Sequence, residues 1–281
     1  MSFKRDFISR LTVALGAGLV GLFLAWYSNF TFMLVFAFFA SFALWEFFNL
    51  VERGGYRPYK IIGYGIAAAF FAVAYFKPLE TYNNFMILSF LVLFLLKVIQ
   101  SKQTTYRKQL TMLLIAAFGG LYIGGALSFA VGLQKIHDLK FRGITPFDYL
   151  FLLPFVAAWA SDTGAYLTGK LLGKDKLAPN ISGKKTIEGL IGGVASSMAA
   201  MYIFGTVLRL PLSMIFMLGI LLPLFCTAGD LFESSLKRRF DVKDSGTLLK
   251  AHGGVLDRFD GVFFVLPLTY VIIYYFYIYQ S

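Results

Sequence analysis

Apolar residues run through this chain in long uninterrupted blocks, broken by short polar or Gly/Pro-rich punctuation, with no sustained two-residue alternation. Reading the blocks between the breaks predicts nine helices: Leu11 to Tyr27, Phe30 to Val51, Ile61 to Phe76, Phe85 to Val98, Leu110 to Leu133, Phe147 to Thr168, Leu190 to Leu208, Leu212 to Ala228 and Gly261 to Tyr279. Several approach the roughly 20 residues that cross a bilayer. The predicted fold class is therefore an all-α integral membrane protein of about nine transmembrane helices, with no separate soluble domain. The first block has no convincing small-residue cleavage site after it and reads as a retained span.

Charge orients the spans. Of the 26 Lys and Arg residues, 21 fall in alternate connections, and only Lys77, Lys135, Lys140, Arg142 and Arg209 fall in the others. By the positive-inside rule the N-terminus is cytosolic and the C-terminus outside. Two cytosolic connections are long and charged, 170–189 and 230–260. Both lie in the C-terminal half, so the chain reads as an N-terminal transmembrane scaffold of five helices, 1–133, and a C-terminal catalytic membrane region of four, 147–281.

Composition agrees: 58% of the 281 residues are hydrophobic and 15% charged, against about 25% charged in soluble domains. The net charge of +11 sits in short loops rather than on a soluble basic face, so nucleic acid is excluded as a partner, while anionic lipid headgroups and polyphosphates fit. The single cysteine, Cys226, rules out an intramolecular disulfide and a cysteine-based metal site. Glycines in apolar runs, such as Gly120 with Gly124 and Gly192-Gly193, read as close helix packing.

Candidate chemistry concentrates between Ser234 and Asp260. Asp257 and Asp260 are three residues apart, on one face of a helix start, with Asp230 expected at the mirror position where the eighth span ends. Hard carboxylate oxygens at one depth suit Mg²⁺, with substrate phosphates completing its shell; the plain alternative for Asp257 is a helix cap. Gly253 and Gly254 would bring backbone N–H groups against phosphate oxygens. Upstream, Lys184, Lys185, Thr186 and Glu188 lie just before the seventh span, where the lysines and hydroxyl make an anion grip that lacks Walker A spacing. Asp162, inside the sixth apolar run, is a candidate metal ligand or supporting partner because an ionisable group there is costly. Glu46 is a weaker candidate, able to snorkel to the interface.

These residues carry a resemblance. Ser234, Leu236, Lys237, Arg238, Lys243, Asp244, Gly246, Leu249, His252, Gly253, Gly254, Val255, Asp257, Arg258 and Asp260 follow the signature of the phosphatidate cytidylyltransferase (CDP-diacylglycerol synthase) family, and Asp162-Thr-Gly-Ala-Tyr and Lys185-Thr-Ile-Glu-Gly189 extend it. The chain departs from the family's usual pattern at Lys250-Ala251, where Pro-Gly is common, and at Ser182-Gly183, where Ser-Pro is common. The resemblance implies transfer of the cytidylyl group of CTP to phosphatidate, giving CDP-diacylglycerol and pyrophosphate, in phospholipid biosynthesis at a bacterial-type cytoplasmic (inner) membrane. It implies catalytic Asp257, Asp230, Lys185, Arg258 and His252. Asp230, Asp257, Asp260 and Asp162 would hold Mg²⁺, with a second cation left open. Lys184, Lys185, Thr186, Glu188, Lys237, Arg238, Lys243, Gly253 and Gly254 would hold the nucleotide phosphates. His252 is open between general acid/base, ligand contact and loop structure. A homodimer follows from the resemblance alone. The competing expectations are a CTP-dependent enzyme acting on another lipid phosphate or polyprenol, and a secondary transporter.

Overall fold

The computed structural model describes residues 28–102, 106–140, 150–240, 242, 245–246 and 254–276. The first predicted span, Leu11 to Tyr27, lies outside them. Among the described residues the other eight predicted segments are helical. Five helices among the described residues are long and apolar enough, by length and composition, to cross a membrane.

Helix α1, Asn29–Arg53, starts where the Ser28 side chain accepts the Phe30 N–H, and stops at Gly54, followed by Gly55 at φ +81°. Helix α2, Lys60–Phe76, ends before Lys77-Pro78. Its exposed C-terminal carbonyls are gathered by one ammonium group: Lys135 Nζ donates to Ala74 O and Tyr75 O, each at 3.0 Å, and to Lys77 O at 2.6 Å. A cation at a helix C-terminus satisfies orphan acceptors and the helix dipole together. Lys135→Met is expected to lower stability by about 1 to 2 kcal/mol, read as a drop in thermal midpoint in detergent; an unchanged midpoint would show the contact to be energetically idle.

Helix α3, Leu79–Lys102, is longer than the predicted Phe85 to Val98, because Leu79 and Tyr82 are buried and anchor an extra N-terminal turn. Its outer surface is apolar, with Ile87, Phe90 and Phe94 exposed, as on a helix that meets lipid. Where one span from Leu110 to Leu133 was expected, Arg107–Gly119 (α4) runs through a π-helical turn, Gly120–Gly125, into Ala126–Lys140 (α5). The glycines of that turn press on α2: a Cβ on Gly120 would lie 2.6 Å from Gly63 O, and one on Gly124 would overlap Ala67. Close packing is thus the role of this glycine pair.

Helix α6, Leu152–Leu171, and helix α7, Ile187–Val207, pack at backbone distance: Gly164 lies against Ser196, Gly192 against Thr168 and Gly193 against Ser161. Between them, in the segment expected to be loop, Lys176–Ala178 (β1) and Ser182–Thr186 (β2) pair antiparallel in a small hairpin, Lys176 opposite Thr186 and Ala178 opposite Ser182. This hairpin is the exception to an all-α fold among the described residues.

Helix α8, Leu212–Arg239, continues eleven residues beyond the predicted end at Ala228. The short helix α9, Leu256–Phe259, and α10, Val262–Tyr274, complete the bundle. Buried hydroxyls tie the bundle internally: Tyr82 and Ser128 are 2.9 Å apart, and Tyr270 donates to Asn83 at 2.8 Å.

Candidate active site

Because α8 stays helical past Ala228, Asp230, Glu233, Ser234 and Lys237 fall at i, i+3, i+4 and i+7 and share one face. The expectation that Asp230 ends its helix is corrected: it is an interior position, with Ser234 donating to its Oδ1 at 3.2 Å. Two groups of charge form along this face.

The first joins four elements. Lys185 on β2 reaches Asp230 Oδ2 at 2.5 Å, both side chains being partly exposed. Asp260, in the turn before α10, accepts the Gly261 N–H at 2.6 Å. Burial raises its carboxyl above the usual carboxylate range, helped by the negative charges of Asp230 and then Asp162 on α6, while the Gly261 N–H and Lys185 act against the rise. The Asp260 backbone packs against Gly229, next to Asp230, so the Asp230 charge, its Lys185 partner and Asp260 lie in one neighbourhood. This is a region of excess negative charge that a cation would relieve.

The second group is closed on itself. Lys237 Nζ lies 2.7 Å from Asp257 Oδ1 and 3.1 Å from Glu233 Oε1, and Glu233 is 1% exposed. Asp257 Oδ2 accepts Ser245 N–H at 3.0 Å and Gly254 N–H at 2.9 Å, with Ser245 N also 3.3 Å from Oδ1. Burial favours the neutral acid, but the Lys237 ammonium and the Gly254 N–H outweigh it and hold the Asp257 carboxyl down at about 2. Asp257 and Asp260 were expected on one face. The backbone is helical through both positions, in keeping with that spacing; Asp257 pins the two sides of the signature loop, and the Asp260 backbone packs against Gly229, next to Asp230. Three donors thus occupy most of the Asp257 acceptor positions, and a metal there would compete with them.

The remaining sequence candidates divide similarly. Successive residues on a strand point to opposite faces, so Lys185 turns toward Asp230 while Lys184 is exposed on the other side. Thr186 caps α7, its hydroxyl accepting Gly189 N–H at 3.1 Å, and Glu188 Oε1 accepts Asp175 N–H at 3.3 Å. Arg258 is exposed on α9, and Arg238 is exposed at the end of α8, its guanidinium 3.4 Å from Val242 O. Lys237 is not available as a free phosphate grip, being held between two carboxylates. Lys243, His252 and Gly253 lie outside the described residues. Glu233 was missed by sequence reading, although its i,i+4 spacing to Lys237 was a usable signal.

This arrangement, with the signature loop, the α8 face and the Lys185 hairpin meeting at one end of the bundle, can be set beside known proteins. Residues 8–276 match the cytidylyltransferase family. The chain belongs to that family. Among curated cytidylyltransferases, it is 44% identical over 155 residues to the phosphatidate cytidylyltransferase of Bacillus subtilis (strain 168), an alignment covering 54% of this chain and 55% of that protein. It is 41% identical over 146 residues to that of Staphylococcus saprophyticus, covering 51% and 54%, and 43% identical over 145 residues to that of Staphylococcus aureus (strain COL), again covering 51% and 54%. The chain thus matches about half the length of these relatives.

Proposed function

We propose that the protein transfers the cytidylyl group of CTP to phosphatidate at the cytosolic face of a bacterial inner membrane, forming CDP-diacylglycerol and pyrophosphate. The observation that carries this reading is the Lys185–Asp230 ion pair at the basic end of α8, with the Asp260 backbone packed against the neighbouring Gly229 beside the signature loop. In the reaction, a phosphate oxygen of phosphatidate attacks the α-phosphorus of CTP. The bond from that phosphorus to the bridging oxygen of the β-phosphate breaks, and pyrophosphate leaves with the bond's electron pair. No side chain needs to act as nucleophile.

A divalent cation such as Mg²⁺ fits the donor set. Among the described residues no three His, Cys, Asp or Glu side chains lie close enough to enclose a metal by themselves. Magnesium, however, is commonly held by one or two carboxylates and completed by substrate phosphates. Asp230 and Asp260 would hold it, with Asp162 adding negative charge and Asp257 entering in competition with its present donors. Bound there, it would neutralise the attacking and leaving oxygens. Lys185 is placed to transfer its ammonium from Asp230 to an incoming phosphate, and exposed Arg258 and Arg238 add positive charge for a polyphosphate. The site's work is positioning and electrostatics.

The test is pyrophosphate release from purified protein in lipid, with each of the four nucleoside triphosphates, with and without phosphatidate, and with EDTA. Release is expected only with CTP and phosphatidate together, and is expected to be lost on chelation. Equal release with a polyprenyl phosphate in place of phosphatidate, or solute flux without CTP consumption, would overturn the assignment.

A further inference from the structure

Glu46 lies in the apolar interior of α1, about 200 residues from the signature loop in sequence, and is 0% exposed. A carboxylate there does not snorkel to the interface, and its burial is costly unless it is hydrogen-bonded. Its Oε2 accepts the Leu256 N–H at 2.7 Å and lies 3.4 Å from the Ser245 hydroxyl. Leu256 immediately precedes Asp257, whose own carboxylate takes the Ser245 and Gly254 N–H groups. Two carboxylates from distant parts of the chain therefore grip the same two sides of one loop. Glu46 also explains two of its glycines: a Cβ on Gly246 would lie 2.5 Å from Glu46 Oε1, and one on Gly254 would overlap Oε2. The other oxygen, Oε1, is buried with no hydrogen-bond partner among the described residues and faces Gly246. A carboxylate serving only to pack α1 would not need the loop's backbone so close that neither glycine leaves room for a Cβ.

We infer that Glu46 is a positioning residue for nucleotidyl transfer: by holding the Leu256 N–H and the Ser245 hydroxyl, it sets the height and rotation of the segment that carries Asp257, Arg258 and Asp260. This rests on the reading of that segment as the nucleotide-phosphate site. The requirement is for reach and an acceptor oxygen, so a shortened acid fails where a neutral isostere succeeds.

The test uses the full chain in lipid, with Glu46→Gln, Glu46→Asp and Glu46→Ala. Misplacing reacting groups by about 1 Å costs on the order of 10²-fold in rate. Glu46→Gln is therefore expected to keep kcat within about threefold, while Glu46→Asp and Glu46→Ala lose about 10²-fold, with the KM for phosphatidate unchanged. Amide exchange at Leu256 is read in parallel. Protection is expected in the parent and Glu46→Gln and lost in the other two. This readout does not depend on activity, so it decides the clamp even if the parent proves not to use CTP and phosphatidate. Gly246→Ala, which drives a methyl into the Glu46 carboxylate, is expected to reproduce the kinetic loss and covers the case in which Glu46→Ala does not fold. Full activity in Glu46→Asp with loss in Glu46→Gln, or unchanged Leu256 protection in Glu46→Asp, overturns the inference.

Discussion

Asp230→Asn is expected to reduce kcat by about 10³-fold, the scale at which a preorganised electrostatic contact at a reacting phosphate is lost, while leaving the thermal midpoint close to that of the parent. Asp230 is partly exposed and contacts Lys185 and Ser234, so its removal leaves no buried charge unpaired. Lys185→Met should lower the rate less, since the carboxylates remain. The double variant separates the two roles of Asp230. If Asp230 served only to neutralise Lys185, removing both would restore turnover, because the charge left unpaired by one change would be removed by the other. The expected result is a double variant at least as slow as Asp230→Asn. Recovery to within a few-fold of the parent would refute a role at the substrate phosphates.

Asp257→Asn should behave differently, although both aspartates belong to the same signature region. Its carboxylate is only 12% exposed and joins Lys237, Ser245 and Gly254. An amide keeps one acceptor oxygen and must turn its N–H₂ either toward the Lys237 ammonium or toward the Ser245 and Gly254 N–H donors, and keeping the oxygen on Lys237 leaves those two amides without their acceptor. Breaking one arm of a buried charge network costs about 3 kcal/mol, so the expectation is a lowered thermal midpoint, faster amide exchange at Ser245 and Gly254, and loss of turnover. Assay at saturating Mg²⁺ should not restore activity. A variant that is inactive yet keeps the parent's midpoint and exchange rates would place Asp257 at the reacting phosphates and remove its structural role.

The described helices were legible because long apolar blocks mark them in composition, and the signature residues were legible because their spacing is dense and specific. Element ends were less so. After Ala228 the chain turns polar, which resembles a loop, yet Asp230, Glu233, Ser234 and Lys237 repeat at helical spacing, and α8 accordingly runs on to Arg239. The hairpin at Lys176 and Thr186 is short and charged, with little hydrophobic alternation to announce it, so Lys184 and Lys185 appeared equivalent until the strand turned them apart. The π-helical turn at Gly120 was hidden within a glycine pair that also satisfied a simple packing motif. Glu46 shows a different kind of limit. Its partners, Ser245 and Leu256, are fixed by tertiary structure across most of the chain, and no local pattern in either segment encodes that pairing.

The unbroken course of α8 has a consequence for how this chain can vary in length. Each residue added to or removed from a helix turns everything beyond it by about 100°. One inserted residue between Leu212 and Asp230 would swing the whole Asp230, Glu233, Lys237 face away from Lys185 and Asp257 while leaving its hydrophobicity nearly unchanged. Such an insertion would look harmless in a hydropathy profile. The helix therefore acts as a phase reference, and changes of length in this half of the protein are tolerable only where they fall outside it.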